Sequence, residues 1–178
     1  MAEEKTLSSK LIYDGQTLKL RVDTVQMSGG RKSIREVVEH KGVICVVAVD
    51  ASDNVLMVRQ FRYALGKELL EIPAGGIDGD ETPEEAVRRE MQEETGYLPK
   101  KIERLGGFYS APGFCNEYLH LYLATDLVPS QLSAEDTESI RLERLPISKI
   151  PGSIASGRLE DAKSIAGLLT FLEYKKTH

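Results

Sequence analysis

Residues 71–97 read EIPAGGIDGDETPEEAVRREMQEETGY, and the fold and the chemistry are both decided here. Thr82 is a good N-cap, Pro83 suits the first helical position, and Glu85, three residues after Thr82, completes a capping box. Gly96 supplies the left-handed residue that stops a helix. These signals predict a helix over 83–95. Glu90, Glu93 and Glu94 share one face of it, at spacings where like charges repel. A sequence chosen only for helix stability would have placed a lysine at one of them. Ala86, Val87 and Met91 supply apolar contacts on other sides. Clustered carboxylates beside a loop suit a hard cation such as Mg²⁺, which takes oxygen ligands and keeps positions open for phosphate. A solvated acidic helix face uses the same pattern.

The preceding loop, Pro73 to Asp80, narrows that choice. Its glycines let backbone come close to the helix start, and the carbonyl of Ala74 is a further hard oxygen. A glycine-rich turn at a helix start also cradles phosphate. Here the acids of the helix would repel a phosphate unless a cation stood between them.

Upstream, Leu69–Ile72 reads as a short strand ended by Pro73. Val43–Val49 is apolar throughout, Asp50–Asn54 supplies turn residues, and Val55–Val58 resumes, as in a buried hairpin. Cys45, inside that run, reads as an inert buried thiol; Cys115 has no convincing histidine partner. Before it, Leu18, Leu20, Val22 and Val25 lead into Ser28-Gly29-Gly30, and Ile34, Val37 and Val38 follow, a second hairpin. Two strands alone are marginal in water, so this lobe must lean on the main domain or on a second chain. Residues 1–10 are polar and are expected to fray.

Downstream, strand-like segments at 101–109, 118–124 and 140–145 flank a polar loop at 131–138, and 159–174 has helical spacing. The order is mixed, so α+β or a layered α/β/α domain fits best. The 178 residues suit one domain with a small extra lobe. A formal net charge of -5 argues against gripping nucleic acid by bulk electrostatics. No apolar run approaches the roughly 20 residues that cross a bilayer. A cytoplasmic protein without membrane or nucleic-acid partners is expected.

Gly75, five residues, Glu81, seven residues, then Arg89-Glu90-Met91-Gln92-Glu93-Glu94-Thr95-Gly96-Tyr97 resembles a complete Nudix box, with the apolar slots filled by Met91 and Tyr97. The resemblance implies an α/β/α sandwich with a mixed sheet over 42–178, carrying the box at 75–97, and a β-rich N-terminal lobe over 1–41. It implies Glu90 and Glu94 as main metal ligands with Ala74, and Glu93 as a further ligand or base. Arg89 would orient the glutamates and Glu81 would brace the loop. The cofactor implied is Mg²⁺, with Mn²⁺ as the alternative. The reaction implied is attack of water on one phosphorus of a pyrophosphate, the cations stabilising the charge that develops.

Pro112, fifteen residues past the box, resembles the placement in the ADP-ribose pyrophosphatase group. So do the N-terminal lobe, Gln60-Phe61-Arg62-Tyr63, Glu71-Ile72-Pro73-Ala74-Gly75 and the acidic loop 134–138. That likeness implies ADP-ribose cleaved to AMP and ribose 5-phosphate, and a homodimer built through the lobe. Candidate substrate-binding residues are Arg35 and Arg62, whose forks suit phosphate or ribose hydroxyls, with Glu71, Gly113 and Phe114; Tyr63 is a second stacking candidate. Glu138 matches a glutamate of the group, and the shorter Asp136 stands where another is expected. The base is left open among Glu93, Asp136 and Glu138. Rival readings are another substrate, such as GDP-mannose or a dinucleoside polyphosphate, and a module that only senses nucleotides. The intact set of box acids argues against a sensor.

Overall fold

Backbone pairing, more than side-chain pattern, sets the elements in the first part of the chain. The computed structural model describes residues 4–133 and 139–178. It contains β1 (Lys5–Asp14), β2 (Leu18–Gln26), β3 (Lys32–His40), β4 (Val43–Val49), β5 (Asn54–Arg62), β6 (Lys67–Glu71) and β7 (Ala74–Gly76). Then follow α1 (Pro83–Thr95), β8 (Tyr97–Tyr109), β9 (Tyr118–Pro129), β10 (Arg141–Pro146), α2 (Ile150–Ala155) and α3 (Ala162–Tyr174). The chain divides into two compact units, one of Met1–Gly42 with Tyr109–Tyr118, the other of Val43–Phe108 with Leu119–His178.

In the first unit β1, β2 and β3 form an antiparallel sheet in that order. The β2–β3 hairpin follows the sequence reading, but residues 5–10 do not fray: Lys5 pairs with Gln26 and Lys10 with Val22. Every position of β1 is exposed, so no face imposed an alternation of apolar and polar residues that the sequence could display. The segment 109–118 joins the end of β3. Val38 N–H donates to the Phe114 carbonyl at 2.8 Å, Asn116 N–H to the Val38 carbonyl at 3.1 Å, and His40 N–H to Asn116 Oδ1 at 2.9 Å.

The second unit is built on a mixed sheet in the order β10-β5-β4-β9-β8, with β6 on β5 and β7 on β4. β4 runs parallel to β9 and antiparallel to β5 and β7. A strand apolar at every position can be buried on both faces, and β4 is. Ile44, Val46 and Ala48 pack with Ala86, Val87 and Met91 of α1. Val43, Cys45 and Val47 pack with Leu168 and Phe171 of α3. Helices thus cover both faces, the expected α/β/α layering.

Further elements differ from the sequence reading, β8 and β9 by extending to Tyr97–Tyr109 and Tyr118–Pro129. Ala74–Gly76 reads as loop yet pairs with β4, because two glycines carry no side chain to reveal a strand. α3 begins at Ala162, not near residue 159, since Asp161 caps it and Leu159 is buried ahead of the cap. α2 is a single short helix whose Pro151 and Gly152 hid it, although proline is tolerated in a first turn. Among the described residues, no helix is long and apolar enough to cross a membrane.

Candidate active site

The capping box of α1 forms as the sequence dictates. Glu85 N–H donates to Thr82 Oγ1 at 3.3 Å, and Thr82 N–H donates to the Glu85 carboxylate at 2.7 Å. Gly96 ends the helix at φ 76°. With its start and stop fixed, α1 presents Arg89, Glu90, Glu93 and Glu94 toward the β7 turn.

Arg89 gathers this turn and helix. Its Nη2 donates to Glu81 at 2.6 Å and to the Gly76 carbonyl at 2.9 Å, and its Nη1 donates to Glu90 at 2.7 Å and Glu93 at 3.2 Å. Glu81 also accepts from the Asp78 N–H at 2.7 Å. The bond from Arg89 is the main reason the Glu81 carboxyl is held below its ordinary range. Those carboxylates in turn stabilise the charged guanidinium. One planar cation therefore fixes the loop and aims two acids.

Glu90 and Glu94 have a different environment. Burial pushes the Glu90 carboxyl up, against the pull of Arg89. Burial and the neighbouring Glu90 push Glu94 up to about 8. Glu94 accepts the Ala74 N–H at 3.0 Å. Ala74 lies opposite Cys45, one residue past the bond from Val46 N–H to the Pro73 carbonyl. In an antiparallel pair that register turns the N–H and C=O of Ala74 away from β4, so the carbonyl is not consumed by the ladder. Gly75 leaves room for the Glu90 carboxylate, which a Cβ there would displace.

Among the described residues, no group of three His, Cys, Asp or Glu side chains is arranged to hold a metal. Two partly buried carboxylates that repel each other, next to an unladdered carbonyl, nevertheless fit a divalent ion. A hard cation is the group that would make both ionised carboxylates favourable at once, and it needs only a few protein oxygens when phosphate supplies others.

A second cluster lies on β5, β6 and α3. Glu71 is 1% exposed. Arg62 grips it in two bonds, Nε to Oε1 at 2.7 Å and Nη2 to Oε2 at 2.6 Å, and Lys163 Nζ also donates to Oε2. Burial alone would raise the Glu71 carboxyl; Arg62 and Lys163 overcome it and hold the group below its ordinary range. Asp161 accepts from Lys163 at 2.9 Å and from the Ser164 N–H at 3.0 Å, and Ser164 Oγ accepts the Ile72 N–H at 2.8 Å.

The second unit thus brings together Ala74, Arg89, Glu90, Glu93 and Glu94, and separately Arg62 with Glu71. Arg35, Gly113 and Phe114 belong to the first unit. There Arg35 Nε donates to Glu4 at 2.9 Å, and Phe114 is exposed. Asp136 and Glu138 lie outside the described residues. Tyr63, weighed for stacking, is 91% exposed. Lys163, Asp161 and Ser164 escaped the sequence reading. The one signal available was an aspartate ahead of helical spacing, a capping cue that says nothing of Glu71, ninety residues upstream.

The chain matches the NUDIX domain family over residues 38–168, and the nucleoside diphosphate sugar hydrolase N-terminal domain over residues 4–38. It is similar to the ADP-ribose pyrophosphatase of Bacillus subtilis (strain 168), 34% identical over 176 residues that cover 98% of this chain and 95% of that one. It is also similar to the GDP-mannose pyrophosphatase of Yersinia enterocolitica serotype O:8, 35% identical over 158 residues, covering 83% and 80%. Among solved structures, an ADP compounds hydrolase superposes with a TM-score of 0.90, covering 98% of this chain and 95% of that one. At 19% identity, that likeness concerns the fold alone.

Proposed function

We propose, from the premise that this chain belongs to the Nudix family of hydrolases, that it cleaves ADP-ribose to AMP and ribose 5-phosphate with the help of Mg²⁺. The observation that carries the reading is the partly buried, mutually repelling Glu90–Glu94 pair at the Gly75 turn, within an intact Nudix box. Its substrate half is supported by the likeness to an ADP-ribose pyrophosphatase over nearly the whole chain.

In this reading Glu90, Glu94 and the Ala74 carbonyl hold the cation, with Glu93 as a further ligand or base. A bound divalent ion would polarise the phosphoryl oxygens and neutralise charge developing on them. Arg89 keeps Glu90 and Glu93 in rotamers that face the β7 turn. Arg62 supplies positive charge for the pyrophosphate, and Arg35, Gly113 and Phe114 are proposed for the remainder of the substrate. Glu138 helps hold or activate the attacking water, with Asp136 and Glu93 as the other candidates for the base. Water attacks one phosphorus as the bridging P–O bond breaks; its proton passes to the base, and each half leaves with a phosphate. The lobe over residues 1–41 is proposed to pair two chains, as a unit distinct from the hydrolase domain over 42–178.

A second reading has its own support. The likeness to a GDP-mannose pyrophosphatase makes GDP-mannose the alternative substrate. Hydrolysis of ADP-ribose, GDP-mannose, NADH, diadenosine polyphosphates and nucleoside triphosphates, with and without Mg²⁺, separates the two. Magnesium-dependent release of AMP from ADP-ribose, well ahead of the rest, is expected. Faster cleavage of GDP-mannose would transfer the assignment, and binding without cleavage of anything would make the domain a sensor.

A further inference from the structure

Glu71 has a glutamate's chemistry but not a ligand's accessibility. It is 1% exposed, and both its oxygens are engaged, one by Arg62 and the other by Arg62 and Lys163. To reach a substrate hydroxyl it would have to release a cation. The cations are less enclosed, the Lys163 side chain being 14% exposed against 2% for that of Glu71. The Arg62 side chain is 39% exposed, and its bonds to Glu71 use Nε and Nη2, leaving Nη1 outside the pair. Lys163 is tethered from both sides, by Glu71 and by Asp161.

We propose that Glu71 is a positioning residue, which holds Arg62 and Lys163 as a fixed cationic pair for the substrate's pyrophosphate and does not itself touch substrate. Two neighbouring cations repel each other, and a shared buried anion sets their separation. A pyrophosphate diester carries two negative charges, the complement of such a pair. Asp161 and Ser164 add a second constraint. Through Asp161 to Lys163, and through Ser164 Oγ to the Ile72 N–H, the first turn of α3 is tied to the backbone two residues before Ala74. Glu71 ends β6 three residues before Ala74, so one segment carries both the anion of the clamp and the proposed carbonyl ligand.

This inference rests on the pyrophosphatase reading above, and its test is separable from that reading. Calorimetry in Mg²⁺ with the non-hydrolysable α,β-methylene analogues of ADP-ribose and GDP-mannose reads the clamp by binding alone. A turnover assay on the two parent compounds reads the function. Glu71→Gln is expected to weaken the tighter-bound analogue about tenfold, as loss of a charge-assisted tether would. In an Arg62→Ala, Lys163→Ala background the same change is expected to alter binding less than about twofold, because Glu71 acts only through those two residues. Unchanged binding in Glu71→Gln overturns the proposal. So does an undiminished tenfold loss in the Arg62/Lys163 background, since Glu71 would then touch the ligand. If Glu71→Gln does not fold, Lys163→Gln carries the test: a loss of about tenfold is expected, and none overturns the proposal. Wild-type protein that binds an analogue but cleaves neither parent removes the function and leaves the clamp comparison standing.

Discussion

Glu94 is costly in the metal-free protein, because burial and Glu90 both oppose its charge. Its folded pKa, about 8, lies above the ordinary carboxylate value of about 4.3. The folded state therefore binds more protons than the unfolded state between those values, and stability contributed by protonated Glu94 is lost as pH rises through that window. Metal-free protein is expected to melt at lower temperature at pH 8 than at pH 6, and saturating Mg²⁺ to shrink the difference. Proton release on Mg²⁺ binding at pH 7, measured by calorimetry in buffers of different ionisation enthalpy, checks the same linkage; none would contradict it. Glu94→Gln removes the charge and keeps the shape. It is expected to be at least as stable as wild type at pH 8 without metal, yet to lose about 100-fold or more in turnover. An equally active variant would disprove the ligand assignment. Gly75→Ala tests the partner residue. Its Cβ displaces the Glu90 carboxylate, so Mg²⁺ affinity is expected to fall about 10–100-fold with the circular dichroism spectrum unchanged.

At the scale of elements, α1 was legible from end to end because its signals are local. The cap, the box and the stop are all contained within Thr82–Gly96, and each is a backbone requirement met by a neighbouring side chain. Thr82→Ala is expected to cost about 1 kcal/mol, a fall in melting temperature of about 2–4 °C; a change below half a degree would mean the cap contributes nothing. β4 was legible for a different reason, since an unbroken apolar run has to be buried on both faces. β1 and β7 were not legible as strands. One has exposed side chains throughout and the other is mostly glycine, so in both the information is carried by backbone bonds to a distant strand. α3 lies between these cases. Its periodicity was readable, but its seat was not: Gly167 leaves room for Ile72 and Leu121, each 3.0 Å from where a Cβ would stand. Gly167→Leu is expected to destabilise by about 1–3 kcal/mol through overpacking, measured by urea denaturation; neutral stability would show that the neighbours can move aside.

Across the whole molecule, the site separates into a part written in one segment and a part assembled by folding. Glu90, Glu93, Glu94 and Arg89 fall within six residues of one helix, so helical spacing alone brings them together. The Arg62–Glu71–Lys163 cluster draws on β5, β6 and α3, and no spacing rule connects residues so far apart in sequence. Assembly between chains is the next step on the same scale. The three-stranded sheet has β1 at its edge, and Leu7, Leu11, Ile12, Tyr13, Leu18 and Ile34 are between 38% and 59% exposed. An edge strand with this much exposed apolar surface is a template for another chain, which is the physical ground for the proposed dimer. Sedimentation equilibrium at micromolar concentration is expected to give a mass near twice 19.7 kDa. Charged substitutions at Leu11 and Ile12 together should return the protein to a single-chain mass with its hydrolase unit still folded. A wild-type mass of one chain would mean that the exposed residues of β1 have no second copy to cover them, and the pairing role of the lobe would fall while the chemistry assigned to Glu90 and Glu94 stood.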